Sequence, residues 1–161
     1  YSIDKDLKVT NHVNDIGISN TFAWSPSNDK FYFTDTLTGV IDVYDYNHNE
    51  NIILNKREFV KFDRGYPDGS TVDSEGFLWS CRWSGSCVAR FDPNGKLDIV
   101  IELPVPNVTS CTFGGSDLMT LFITTARMGM TEEELNSNPL AGSVFAYNAS
   151  VKGKPDFKFG S

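Results

Sequence analysis

The chain has 161 residues, 40% of them hydrophobic and 22% charged. That is ordinary globular composition, and it excludes wholesale disorder. With 14 Lys+Arg against 21 Asp+Glu the formal net charge is −7, the wrong sign for a phosphate-backbone binder or a protein of anionic membrane surfaces. No apolar run approaches the length needed to span a bilayer as a helix.

The chain starts at Tyr1 with nothing that resembles a signal peptide, so a fragment or processed product is expected. Cys81, Cys87 and Cys111 form an odd, sparse set. They read as reduced thiols in a cytoplasmic setting, although spacing alone allows a Cys81–Cys87 bridge. The triplets Asn107-Val108-Thr109 and Asn148-Ala149-Ser150 match the glycosylation pattern. Without a secretory context they read as chance.

In chain order, Tyr1–Asp4 resembles the second half of a repeated unit. Phe31–Thr34 is an aromatic and β-branched run behind the polar turn Ser27–Lys30. Phe77–Trp79 follows Ser74–Gly76, and Leu121–Thr124 follows Gly114–Asp117. Turn chemistry flanked by such runs predicts hairpins. A second family of strands lies behind them: Val40–Asp45, Cys87–Asp92 and Val144–Tyr147. Thr131–Leu135 carries a capping-box pattern, with Thr131 as cap and Glu134 three residues on. It predicts a helix of one or two turns inserted in the last unit.

Phe31 to Phe77 is 46 residues and Phe77 to Leu121 is 44. A period near 45 with about four strands per period is the pattern of an all-β propeller, whose blades cannot bury both faces alone. The chain supplies about three and a half blades, against 4–8 in closed rings. Either the rest of a longer chain or a second copy would close the ring; the fragment reading is preferred, because Tyr1 falls inside a repeat. A β-sandwich with coincidental spacing is the alternative. The units expected are 1–17 as the end of a preceding blade, then 18–66, 67–108 and 109–161 as successive blades.

Polar residues recur at one place in the repeat. Asn20 opens Asn20–Trp24, Asp68 opens Asp68–Val72 and Ser110 opens Ser110–Phe113. Innermost strands line a propeller's channel, so the three side chains can converge there. An amide oxygen and a carboxylate make a hard-oxygen site suited to calcium, magnesium or manganese. Neither His12 nor His48 holds the repeat position and there is no C-x-x-C, which argues against structural zinc. The alternative is that Asn20 and Asp68 merely cap strand turns.

At this point the residues resemble a known family. Pro67-Asp68-Gly69-Ser70-Thr71-Val72-Asp73-Ser74-Glu75-Gly76-Phe77-Leu78-Trp79 is similar to the most characteristic stretch of the gluconolactonase / senescence-marker-protein (regucalcin-like) family. Arg90–Lys96, Leu103–Val105, Thr109–Gly115, Thr124–Arg127 and Pro139–Phe145 continue the match in order. The resemblance implies a six-bladed propeller of about twice this length, of which this chain is the C-terminal part. It also implies divalent-metal-dependent hydrolysis of sugar lactones, with one calcium, zinc, manganese or magnesium ion in the central channel. Asn20, in Ile18-Ser19-Asn20-Thr21, matches the family's asparagine ligand. Asp68 matches its aspartate ligand, which also serves as proton acceptor and donor. Two departures stand out. Thr21 replaces the usual glycine, and this chain holds neither the family's early glutamate ligand nor its substrate-contacting arginine and asparagine. The isolated chain is therefore expected to be an incomplete site, inactive until the ring is closed.

The expected mechanism is metal-activated water attacking the lactone carbonyl, with Asp68 accepting and returning the proton and Asn20 orienting and coordinating. Arg127 is a candidate for a sugar hydroxyl at the channel mouth, or for an ion pair with an acidic neighbour, the latter slightly preferred. Asp73 reads as a turn residue. Trp79 and Trp83 read as blade packing, Cys111 as a buried small residue and Glu132–Glu134 as a solvated helix start. The partner expected is a sugar lactone, with no nucleic acid and no membrane. Competing functions are a related esterase or phosphotriesterase-type hydrolase, a calcium-binding regulatory protein without relevant turnover, and an interaction platform on the propeller rim.

Overall fold

A computed structural model of the protein describes residues 1–156; the end of the unit expected at 109–161, residues 157–161, lies outside the described residues. A short hairpin, β1 (Ser2–Ile3) and β2 (Val9–Thr10), precedes three antiparallel sheets. The first sheet runs β3 (Ser19–Trp24), β4 (Lys30–Asp35), β5 (Val40–Asn47) and β6 (Ile52–Lys61). The second runs β7 (Tyr66–Val72), β8 (Leu78–Trp83), β9 (Cys87–Phe91) and β10 (Leu97–Glu102). The third holds β11 (Val108–Gly114), β12 (Thr120–Thr125) and β13 (Val144–Asn148). Each is a meander of sequence neighbours, as the hairpin signals require. The strands expected from the repeat all form, and the all-β class holds. Among the described residues the sheets do not close a ring.

The order of the sheets follows from which residues are apolar. Ala23, Tyr32, Ile41 and Val43 of the first sheet share one core with Val72 and Leu78 of the second. Trp79, Cys81 and Val88 of the second share another with Cys111, Phe113, Leu121 and Ile123 of the third. Successive residues of a strand point to opposite faces, so Leu78 looks back to the first sheet while Trp79 looks forward to the third. Fully burying such a side chain is worth about 1.5–3 kcal/mol. The innermost strands β3, β7 and β11 therefore stand side by side, β7 between the other two.

The insertion in the last unit forms as the capping box requires. It is helix α1 (Glu132–Ser137), with the Thr131 hydroxyl accepting from the Glu134 N–H and the Glu134 carboxylate accepting from the Thr131 N–H. Three acidic residues fill its exposed first turn, where the helix dipole favours them. Cys81, Cys87 and Cys111 are buried and unbridged. The Cys111 thiol lies 3.7 Å from the Trp79 carbonyl, a packing position. No helix among the described residues is long and apolar enough to cross a membrane.

Asp73 does more than make a turn. Its carboxylate is fully buried and accepts from the N–H groups of Glu75 (2.9 Å) and Phe77 (3.0 Å), closing the turn before β8. It also accepts from Trp79 Nε1 (2.8 Å) and from Arg90 Nε and Nη2 (2.9 and 2.7 Å). The Arg90 guanidinium lies over the Phe77 ring, 3.8 Å from its centroid, and reaches Asp98 and Glu75 on its wetter side. One buried acid thus fixes the turn, the Trp79 indole and the third strand of the sheet.

Candidate functional site on the inner strands

Asn20 lies in β3 and Asp68 in β7, both half-buried. The approach to β3 is set by Asp35, whose carboxylate accepts from the N–H groups of Gly17 (2.9 Å) and Ile18 (3.0 Å). The Gly17 N–H, then that of Ile18, hold the Asp35 carboxyl below its ordinary value. Asp35 also caps a single 3-10 turn, Thr36–Thr38. The Asn20 amide Nδ2 donates to Thr36 Oγ1 at 2.9 Å, and Thr36 Oγ1 donates to the Pro67 carbonyl at 2.9 Å. A continuous polar chain therefore joins the first inner strand to the residue before Asp68. With Nδ2 engaged, Asn20 has its Oδ1 left for a ligand.

Thr21 supplies a second tie. Its hydroxyl donates to the Asp68 carbonyl at 2.8 Å and lies 2.9 Å from Ser70 Oγ. Thr21 is buried and sits at φ +51°, in the left-handed region that β-branched residues avoid. A glycine would adopt this conformation without strain. The threonine holds this conformation and adds a hydroxyl that ties β3 to β7.

Each inner strand breaks register at this level. Shifts fall between Asn20 and Ala23, between Pro67 and Ser70, and between Val108 and Ser110. Such bulges re-aim side chains and are common beside sites. Gly69 is hemmed in by Ser110: a Cβ built on it would fall 2.9 Å from Ser110 Cα and closer still to the Ser110 side chain. Glycine after Asp68 is thus a requirement of the close approach of β7 to β11. The three repeat-position residues stand on neighbouring strands: the Asn20 amide is near enough to the Asp68 carboxyl to oppose part of its pKa rise, and Ser110 borders the glycine that follows Asp68.

Burial raises the Asp68 pKa above the ordinary value, against smaller opposing contributions from the Gly69 N–H and the Asn20 amide. No Lys, Arg or His ion pair to Asp68 occurs among the described residues. A half-buried carboxylate beside an amide oxygen, without a protein cation, fits the donor chemistry of a hard divalent ion. The set is small: no cluster of three or more His, Cys, Asp or Glu able to hold a metal occurs among the described residues.

Arg127 is exposed, its stem lying beside Gly142. It makes no ion pair with a described carboxylate, so the acidic partner expected for it is not found there. Thr36, Ser70 and the Thr21 hydroxyl were missed from sequence. The only signal for them was Thr21 standing where glycine is usual.

Comparisons with known proteins bear on the family of the chain. A family model described as SMP-30/Gluconolactonase/LRE-like region matches residues 1–127. Regucalcin of Danio rerio is 36% identical over 163 residues, covering 99% of this chain and 55% of its own length. Pentonolactonase XacC of Haloferax volcanii is 33% identical over 164 residues, covering 98% of this chain and 56% of its own. Among solved structures, the calcium-binding protein regucalcin from Agrobacterium tumefaciens superposes with a TM-score of 0.89 at 29% identity, covering 94% of this chain and 52% of its own. The chain spans about half the length of the curated relatives it matches. On this evidence the chain belongs to the SMP-30/gluconolactonase/LRE-like family.

Proposed function

We propose that this chain carries part of the active site of a divalent-metal-dependent hydrolase that opens sugar lactones. The family includes lactone hydrolases, pentonolactonase among them. The observation that carries the reading is the placement of Asn20 and Asp68 on adjacent inner strands tied through Thr36 and Pro67, with Asp68 half-buried and without an ion pair among the described residues. Asn20 Oδ1 and an Asp68 carboxylate oxygen would hold one calcium, zinc, manganese or magnesium ion. When bound, such an ion acidifies a water molecule and polarises the lactone carbonyl. Asp68, its proton affinity raised by burial, accepts the proton of the attacking water and returns it to the departing ring oxygen. Asn20 is neutral and orients. Thr21 and Thr36 hold the two strands in the register that keeps them together. Arg127, exposed and without an ion pair to a described carboxylate, is the candidate to meet a substrate hydroxyl.

Calcium takes about 6–8 oxygen ligands, more than these residues supply. The remaining blades of a six-bladed ring, or a second copy of this chain, would furnish the others. The units 18–66, 67–108 and 109–161 are the blades this chain brings, with 1–17 the end of one more. Three buried free thiols suit a reducing, cytoplasmic setting.

The test is acid release from gluconolactone, corrected for spontaneous opening, with and without each metal. It is run on this chain and on a version extended at its N-terminus. Metal-dependent turnover in the extended protein, lost in Asp68→Ala, is the expected result. Turnover that survives Asp68→Ala would sink the assignment. A second reading, a calcium-binding protein without relevant turnover, draws on the calcium-binding Agrobacterium relative. It predicts stoichiometric calcium binding with no lactone opening in either protein.

A further inference from the structure

The second sheet is covered on both sides by residues of this chain, so its contacts stand whatever adjoins the outer sheets. Arg82 of β8 is 1% exposed and forms no ion pair with a described carboxylate. Its guanidinium serves the backbone instead. Nε donates to the Arg64 carbonyl at 3.0 Å, and Nη2 donates to the carbonyls of Phe62 at 2.9 Å and Gly65 at 2.8 Å. The guanidinium carbon lies 5.5 Å from the centroid of the Phe62 ring. These residues form the loop between β6 and β7, which leads directly into Pro67 and Asp68. Burial lowers the Arg82 pKa to about 10, which leaves the side chain charged at neutral pH. The loop is also packed tightly against the turn after β8. A Cβ built on Gly65 would fall 2.5 Å from the Trp83 carbonyl oxygen.

Asp68 needs such a hold. In the ladder between β7 and β8, Pro67 stands opposite Arg82 and Ser70 opposite Ser80, with the register shifting between them. Asp68 and Gly69 occupy that bulge without a partner on β8. Pro67, just before them, has no N–H to donate. The place of Asp68 is therefore set by its flanks. On the side of β3 they are the bonds from Thr21 to the Asp68 carbonyl and from Thr36 to the Pro67 carbonyl. On the other side is the loop that enters β7. Three carbonyls of this loop converge on one point, and a charged fork of donors satisfies them together. We propose that Arg82 is a positioning residue for Asp68. By fixing the shape of the loop at residues 62–65, it delivers the Asp68 carboxylate to its place beside the Asn20 strand. Arg82 is itself buried and acts only through the backbone. Its consequence for metal binding and turnover rests on the lactone-opening reading; its consequence for the loop does not.

The test is made on the protein extended at its N-terminus, with Arg82→Lys as the variant. Lysine keeps the charge and loses the planar fork. Three quantities are read: hydrogen exchange of residues 61–70 without metal, calcium affinity by titration calorimetry, and kcat and KM for gluconolactone. Exchange across residues 61–70 should quicken while β9 keeps the rate of the parent. Calcium should bind about 10–100-fold more weakly, and kcat should fall with KM unchanged. Leu121→Ala is the control: it destabilises the core between the second and third sheets and leaves the loop bonds in place. Its calcium affinity should equal that of the parent. Should Arg82→Lys fail to fold, Phe62→Leu removes only the ring beside the guanidinium, and a smaller loss of calcium affinity in the same direction is expected. Unchanged exchange at residues 61–70 overturns the proposal. So does faster exchange with undiminished calcium affinity, or an equal loss of affinity in Leu121→Ala; Arg82 would then be structural alone. A parent protein that binds no calcium sinks the metal reading instead, and the exchange of residues 61–70 then decides by itself whether Arg82 sets the segment that carries Asp68.

Discussion

The Thr21 hydroxyl donates to the main-chain carbonyl of Asp68 at 2.8 Å, joining two sheets one residue away from Asn20. The bond comes from a residue in a left-handed conformation, so the strain at Thr21 and the placement of Asp68 are linked. Thr21→Gly should relieve the strain and lose the hydroxyl, leaving stability within about 1 kcal/mol of the starting protein. Thr21→Val keeps the strain, deletes the donor and leaves the Asp68 carbonyl without it, and should cost about 2–3 kcal/mol. Urea unfolding decides; a Thr21→Val midpoint equal to that of the parent would show that the hydroxyl contributes nothing.

Burial raises the pKa of Asp68, so the folded state holds its proton more tightly than the unfolded chain does. From the ordinary carboxylate value up to the raised one, the folded state binds more protons, and stability falls as pH rises. Above that window the penalty remains in full. Asp68→Asn should therefore melt higher than the parent near pH 7, by roughly 2 °C given solvent screening at this half-exposed site. The gap should close in acid, below the ordinary carboxylate range. The same variant should lose metal-dependent turnover in the complete protein. A lower melting temperature for Asp68→Asn at neutral pH would contradict this account.

Gly69 has no room for a side chain, because Ser110 of the adjoining strand fills the space. Gly69→Ala should cost about 1–3 kcal/mol by overpacking. Adding Ser110→Gly should recover part of that loss and not all, since the overlap at 2.9 Å is with the Ser110 Cα. Thermal melts of the single and double variants measure it. No recovery in the double variant would place the strain elsewhere.

The buried Asp73–Arg90 pair predicts a sharp contrast within one cluster. Asp73→Ala strands the Arg90 guanidinium and the Trp79 indole N–H, and should destabilise by about 3–5 kcal/mol. Glu75, whose side chain is 60% exposed, contacts the same guanidinium at 2.9 Å. Its removal should cost about 1 kcal/mol or less. Chemical denaturation of the two variants gives the comparison, and similar losses would refute the buried-charge argument.

Much of this was legible in the residues because it is periodic. The runs at Phe31, Phe77 and Leu121 fixed the strands, and the polar residue opening each unit marked the inner edge of the sheets. The capping box at Thr131 and Glu134 is local chemistry, readable from spacing alone. What was not legible depends on contacts between residues far apart in sequence. Thr36 reaches Pro67 across 31 positions, and Asp73 meets Arg90 across 17. Neither pairing leaves a periodic trace. The register shifts were hidden for a different reason: a bulge changes which side chain faces the site without changing composition.

Leu78 and Trp79 are chain neighbours that serve different cores, one on each side of the same sheet. Deleting or inserting one residue in β8 would exchange these allegiances, turning the indole away from Asp73 and toward Tyr32. Both interfaces of the sheet would fail together. The length of β8 is thus held fixed from two sides at once.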